Sequence, residues 1–404
     1  MARLTVLAVL MMACAGPAAA QVGGGGAPLR GTASPYDQPG VVAGRFTLYP
    51  AIEISGRFSG GTLGTPGASI VLSPEFVAIY DASPLEITAT LGADIVPVAT
   101  TRTSLVVGAE ARLNVRLDLP GLWDFAMGAA YGLAAQSALD PVNPGGLDQA
   151  PGIHTTGASA TLAGPIGALA LRLSLDVQRT FYQDGTISGV PVDQGDRNNL
   201  LIEGAARIST DGAARFTPFV EIAHGRRLYD RPLDTDGFAQ GFRTVELRGG
   251  FVYDSAPVLT GEVSVGVYRG VPDDPALQGL RGFTFAASSV WSPREPVTIA
   301  LATETTYTGD PSPTAGGSVR QDWSLRGTLA VGDDFTVGTT GTYATEWLAG
   351  GDIERSAAIG ADVTWQPTRW IRLNAGVTQQ WLWSNDPGRT GSTTTVAVTA
   401  RLQR

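Results

Sequence analysis

The sequence predicts an all-β protein: a closed antiparallel transmembrane β-barrel of 16–18 strands, with eighteen favoured. Three observations predict it. Apolar and polar residues alternate with a period of two along most of the chain. The connections between the alternating runs are short and long by turns. No window after the N-terminus offers the about 20 consecutive apolar residues that a membrane-spanning helix needs.

Arg3 and the apolar run Leu4 to Ala13 precede Ala18-Ala19-Ala20, the pattern of a secretory signal peptide cleaved before Gln21. Residues 1–20 are therefore expected to be removed. Residues 21–42 contain Gly23 to Gly26, Pro28, Pro35, Pro39 and Gly40, the composition of a flexible segment, expected on the periplasmic side. The barrel is expected over 43–404.

Within that span, successive side chains of a strand point to opposite faces, so odd and even positions report two environments. In residues 102–117, Leu105, Val107, Ala109, Ala111, Leu113 and Val115 alternate with Glu110, Arg112, Asn114 and Arg116. Residues 166–180 set Leu169, Leu171, Leu173 and Leu175 against Arg172, Ser174 and Asp176. Residues 43–58 set Phe46, Leu48, Ile52, Ile54 and Phe58 against Arg45, Glu53 and Arg57. The last run sets Val396, Val398, Ala400 and Leu402 against Thr395, Thr399 and Arg401. Eighteen such runs begin near positions 43, 66, 84, 102, 122, 153, 166, 198, 213, 241, 257, 279, 296, 318, 334, 355, 369 and 391. Most are longer than the about 9–11 residues that a tilted strand needs to cross a bilayer.

Short connections are expected at Ser83-Pro84, Gly164-Pro165, Asp211-Gly212, Ala256-Pro257, Gly332-Asp333 and Pro367-Thr368, and long ones at 138–152, 181–197, 229–240, 271–278 and 309–317. Short periplasmic turns and longer external loops are the habit of outer-membrane barrels. Aromatic residues of lipid-facing parity gather at the strand ends, Trp123, Trp291, Phe335 and Trp365 beside short turns and Phe58, Tyr307, Trp347 and Trp383 beside long loops. That is the arrangement of interfacial girdles.

Composition narrows the function. Formal net charge is −9, so a basic nucleic-acid footprint is absent and no nucleic-acid partner is expected. The chain has one Cys (Cys14) and two His (His154, His224), which leaves neither a disulfide framework nor a zinc ligand set. Asp230, Asp234, Asp236 and Gly237 loosely suggest a calcium loop but lack its full pattern. Neither His stands in a recognisable nucleophile-base arrangement, so no enzyme, cofactor or metal is expected.

The stretch Tyr36 to Phe58 joins a Tyr-Asp-x-x-Gly lead-in to a first strand containing Leu48-Tyr49-Pro50. It resembles the putative beta-barrel porin 2 family of Gram-negative outer-membrane proteins. The resemblance implies an outer-membrane barrel and, for some relatives, association with exopolysaccharide export; it implies no catalytic residues. Ser59-Gly60-Gly61 replaces the acidic and Asn residues that often follow the first strand. The chain ends Leu402-Gln403-Arg404 and not in an aromatic residue, which bears on recognition by the barrel-assembly machinery, an expected partner during insertion.

Candidate site residues follow from parity. Polar-parity charges expected to line the lumen are Arg45, Glu53 and Arg57, then Glu110, Arg112 and Arg116, then Arg172 and Asp176. Further along come Glu203, Arg207, Glu221, Glu246 and Arg248, and near the C-terminus Arg320, Asp322, Arg326 and Arg372. Opposed charged rows could filter solutes; equally they could be wall residues pairing with their neighbours. Asp140 and Asp148 lie in a long Pro/Gly-rich loop that either folds inward as a constriction or stays at the surface. Arg179, Arg226, Arg243, Arg269 and Arg281 have lipid-facing parity near the outer strand ends. They either meet lipopolysaccharide phosphates, which Arg can bind bidentately, or stand in water at the loop edges.

The expected function is a porin-like channel for passive diffusion of small hydrophilic solutes. Component of exopolysaccharide export and secreted soluble β-protein are the alternatives. The expected partners are outer-membrane lipid, lipopolysaccharide and small hydrophilic solutes, with a homo-oligomer open.

Overall fold

The protein is described by a computed structural model covering residues 38–62, 66–98, 104–135, 152–187, 189–210, 215–233, 237–308, 317–348, 351–385 and 390–404. The expected signal peptide, most of the segment after it, and Asp140, Asp148, Asp234 and Asp236 lie outside the described residues.

Eighteen long strands, 12 to 16 residues each, form one closed antiparallel sheet among the described residues. The first six are β1 (Phe46–Gly61), β2 (Gly67–Ala82), β3 (Leu85–Val98), β4 (Ser104–Leu119), β5 (Trp123–Ala135) and β6 (Gly152–Ile166). The middle six are β7 (Leu169–Tyr182), β8 (Asn199–Thr210), β9 (Phe216–Tyr229), β10 (Phe242–Ser255), β11 (Leu259–Pro272) and β12 (Leu280–Arg294). The last six are β13 (Val297–Thr308), β14 (Ser318–Val331), β15 (Phe335–Leu348), β16 (Ile353–Thr368), β17 (Ile371–Ser384) and β18 (Gly391–Gln403). No start lies more than three residues from its expected position. Each strand pairs with its sequence neighbours, and β18 returns to β1 with Leu402 opposite Ile52 and Ala400 opposite Ile54. Closure leaves no free sheet edge, the condition for a β-structure in hydrocarbon.

The register sorts the two faces. Directly opposed residues share a face, and the apolar set can be followed around the wall: Leu173 opposite Ala206, Ala206 opposite Ile222, Ile222 opposite Leu247, Leu247 opposite Val267. Exposure shows which face is which. Val220 is 57% exposed and Val265 61%, whereas their chain neighbours Glu221 and Ser264 are 6% and 3% exposed. The apolar row is therefore the convex outer face, and the polar row lies inside.

Three local features differ from the sequence expectation. The turn after β6 falls at Gly167 and Ala168, with Gly167 at φ +67°, and Gly164-Pro165 stays in the strand. A short strand, Val41–Ala43, folds back on Phe46–Leu48 through Gly44 at φ +66°. That turn displaces Arg45 from the barrel wall, where a lumen-lining position was expected; its guanidinium instead donates to the Tyr80 phenol at 3.3 Å. The third is Tyr307, which stacks on Tyr268 of β11 and not in the lipid-facing row that its parity predicts.

Candidate functional site: the inner wall of the barrel

The inner wall is charged because each strand contributes every second residue to it. Its densest region spans β8 to β11. Arg207 donates to Glu221 at 2.5 Å and, with two parallel bonds of 2.8 and 3.0 Å, to Glu262. Arg248 donates to the other oxygen of Glu221 at 2.7 Å. The result is a chain Arg248–Glu221–Arg207–Glu262, two cations and two anions. The Arg207 guanidinium also lies 3.9 Å above the centre of the Phe219 ring, a contact that planar, weakly hydrated Arg makes well.

Phe219 can lie flat on the wall because the residue opposite it is Gly250. A Cβ at Gly250 would stand 2.8 Å from the ring and 2.2 Å from the Val263 carbonyl. The Phe242 ring lies over Gly270, diagonally across its ladder, where a Cβ would meet it at 2.3 Å. Glycine under an aromatic ring is a way to keep a curved sheet closely packed.

Other inner-face groups sit in smaller clusters. Arg116 donates to Asp124 at 2.7 and 3.1 Å, and Arg112 pairs with Glu110 at 3.1 Å. Arg320 bonds Asp322 at 2.9 Å and Glu346 at 3.3 Å, and Ser318 donates to Glu346 at 2.6 Å. Arg401 bonds Glu75 at 2.6 Å, with Glu53 4.0 Å away. Glu75 and Asp124 were not singled out from the sequence. Their strands read clearly, and the alternation itself places them among the inner charges.

Some expected neighbours are like charges. Asp176 lies opposite Glu203, Glu304 opposite Asp322, Arg172 opposite Arg207 and Arg372 opposite Arg401. Glu246 lies opposite Ala223 on one side and Tyr268 on the other. Arg57 and Arg326 are on the same face, opposite Ser69 and Thr340. Like charges directly opposed across a ladder repel unless water or a counter-ion screens them.

On the outer face, Arg179 is bound bidentately by Asp230, and Arg226 by Asp273 at 2.7 and 2.6 Å. Arg243 stands 3.7 Å from the same Asp273. Arg269 and Arg281 face one another directly across β11 and β12. Three of the five outer arginines thus have loop carboxylates as partners, which parity could not reveal because the acids lie outside the strands.

At the long-loop end, Asp193 accepts from Arg231 at 2.5 Å and from the Gly195 amide at 2.7 Å. These contacts hold its carboxyl below the ordinary range. Asp274 accepts from the Ala239 and Ala276 amides at 3.0 and 2.8 Å, which lowers it likewise. No cluster of metal-ligating groups occurs among the described residues.

A closed sheet with an apolar convex face and a charged concave one defines a β-barrel of the porin type, built for an outer membrane. The chain belongs to the putative beta-barrel porin 2 family, whose model matches residues 34–404. A search of curated proteins finds no match. Among solved structures, OpdK of Pseudomonas aeruginosa with vanillate overlays at a TM-score of 0.47 and 9% identity, over 88% of this chain and 99% of that one. OccK2 (OpdF) of Pseudomonas aeruginosa in complex with glucuronate gives 0.45 and 10%, over 88% and 98%. The FrpB iron transporter of Neisseria meningitidis gives 0.48 and 8%, over 84% of this chain and 64% of that one.

Proposed function

We propose that the protein is a passive channel for small hydrophilic solutes in the outer membrane of a Gram-negative bacterium, where it arrives after residues 1–20 direct its export. The observation that carries this reading is the pairing pattern of the inner wall. Ion pairs and opposed like charges recur on the inner face of many of the strands, an arrangement that water in a lumen stabilises and a dry core would not. About 16–18 strands enclose a lumen wide enough for an aqueous path.

Polysaccharide export would call for aromatic rings presented to the polymer. Phe219, Phe242 and Tyr268 are instead buried, which favours the channel. Arg269 and Arg281, side by side on the outer face, make a phosphate-binding pair suited to lipopolysaccharide. Phosphate co-purifying with the barrel should fall when both are replaced by Gln; unchanged phosphate content removes that assignment.

The channel is tested by reconstituting the folded, heat-modifiable protein in planar bilayers. Discrete, steady conductance steps are expected. A folded protein that never gives them is not this channel.

A further inference from the structure

The seam between β12 and β13 has the shortest ladder of any two neighbouring long strands, seven pairs. Its ladder runs from the short-turn end up to Ala286 opposite Glu304 and stops there. Above that rung, β12 continues to Leu280 paired only with β11, and β13 continues to Thr308 paired only with β14. The next rungs, Phe285 with Thr305 and Phe283 with Tyr307, are made by side chains. The Thr305 hydroxyl lies 3.0 Å from the Phe285 amide and 3.1 Å from its carbonyl, and the Tyr307 phenol donates to the Phe283 carbonyl at 2.7 Å. The outer part of β13 is thus rotated about its own axis. Tyr307, of lipid-facing parity in the sequence, is turned into the seam.

Tyr307 then stacks on Tyr268 of β11, ring centres 3.6 Å apart and planes 8° apart. It passes over Gly282, where a Cβ would stand 3.0 Å from its hydroxyl. Beside this stack the Tyr268 and Thr284 hydroxyls are buried without a partner among the described residues, the residues being 8% and 6% exposed. Toward lipid, the Phe283 ring is 85% exposed, and two residues along the same face Arg281 stands opposite Arg269. From lumen to lipid the seam therefore presents orphan hydroxyls, the stacked Tyr307 ring, the exposed Phe283 and a pair of cations.

Backbone pairs hold a barrel shut in hydrocarbon, because each broken one exposes two polar groups. A side-chain latch can open by rotamer change without unzipping the wall. We propose that the β12–β13 seam is a lateral passage, closed by Tyr307, through which an anionic single-chain amphiphile moves between the outer leaflet and the lumen. Its head meets the arginines and then the orphan hydroxyls, while its tail follows Phe283. This goes beyond the aqueous path, which runs along the barrel axis and does not use the seam.

The test uses the full-length protein in the outer membrane of cells. Uptake of a fluorescent long-chain fatty acid is the readout for the seam, and bilayer conductance is the readout for the pore. In a Cys14→Ser background, Thr284→Cys with Thr306→Cys places two thiols at positions that would be opposed if the ladder continued. Oxidation is expected to reduce uptake at least fivefold, a reductant to restore it, and conductance to stay unchanged in both states. Tyr307→Ala, which removes the latch and needs no cross-link to form, is expected to raise uptake several-fold. The passage is refuted if uptake by cells with the wild-type barrel equals that by cells without it, or if Tyr307→Ala leaves uptake unchanged. Absence of conductance with uptake intact would instead count against the aqueous channel alone.

Discussion

Arg207 and Glu262 are joined by two parallel hydrogen bonds although two whole strands, β9 and β10, separate their own. Neighbouring strands lie about 4.8 Å apart, so on a flat or convex sheet these groups would fall short of each other. They meet because side chains on a concave face converge. The bond is therefore a measure of closure, and it ties four strands across the ladder direction.

Replacing Arg207 by Ala leaves Glu221 and Glu262 without their shared cation, with Arg248 still on Glu221. A hydrogen bond to a charged group contributes about 1.5–3 kcal/mol, and water in the lumen keeps the loss at the lower end. Urea unfolding in lipid vesicles should show a loss of about 1–2 kcal/mol, with the folded, heat-modifiable form retained. Arg207→Lys should recover less than half, because a point charge cannot repeat the bidentate geometry on Glu262.

The glycines under the inner rings are needed for space. Gly250→Ala drives a Cβ against the Phe219 ring and the Val263 carbonyl, whereas Gly341, also on a strand, has nothing within 4 Å. Overpacking of this kind costs about 1–3 kcal/mol. Gly250→Ala should lower the urea midpoint and the folded fraction after refolding, and Gly341→Ala should leave both unchanged. Equal behaviour of the two variants would show that the ring can move aside.

Asp176 faces Glu203 across one ladder and Glu304 faces Asp322 across another, with Glu246 on the same inner wall beside Tyr268. Such a wall concentrates cations. In a potassium chloride gradient the reversal potential should indicate cation preference, stronger at about 0.01 M than at 1 M salt because screening lengthens as salt falls. Glu246→Gln with Glu304→Gln should reduce that preference at least twofold without changing the expression of folded barrel. An anion-selective wild-type pore would contradict the placement of these carboxylates.

The strands were legible because alternation is a property of each residue's own neighbours, and a membrane imposes it on every strand alike. Parity also placed the inner charges. It could not pair them: Arg207 with Glu262 and Arg401 with Glu75 depend on curvature and on closure between the two ends of the chain, which no local pattern records. Arg226 on Asp273 escaped for another reason, since the acid lies in a loop without periodicity. Tyr307 was misplaced because parity assumes an unrotated strand, and the rotation comes from the failed ladder beside it.

Acid should loosen the external loops. Asp193 and Asp274 have carboxyls held below their ordinary value near 3.8 by Arg231 and by backbone amides. A carboxyl lowered on folding contributes stability that is fully present above its unfolded value and is lost as pH falls through its folded value. Loop docking should thus be constant from neutral pH to about 5 and decline from about pH 4 downward, the ordinary range of an aspartate. Amide exchange at Gly195, Ala239 and Ala276, each bonded to one of these carboxylates, reads the change directly. Asp274→Asn should give Ala239 and Ala276 faster exchange already at pH 7 and leave Gly195 protected, while Asp193→Asn should do the reverse. Exchange at all three that does not respond to acid would mean that the loops are held by contacts other than these two carboxylates.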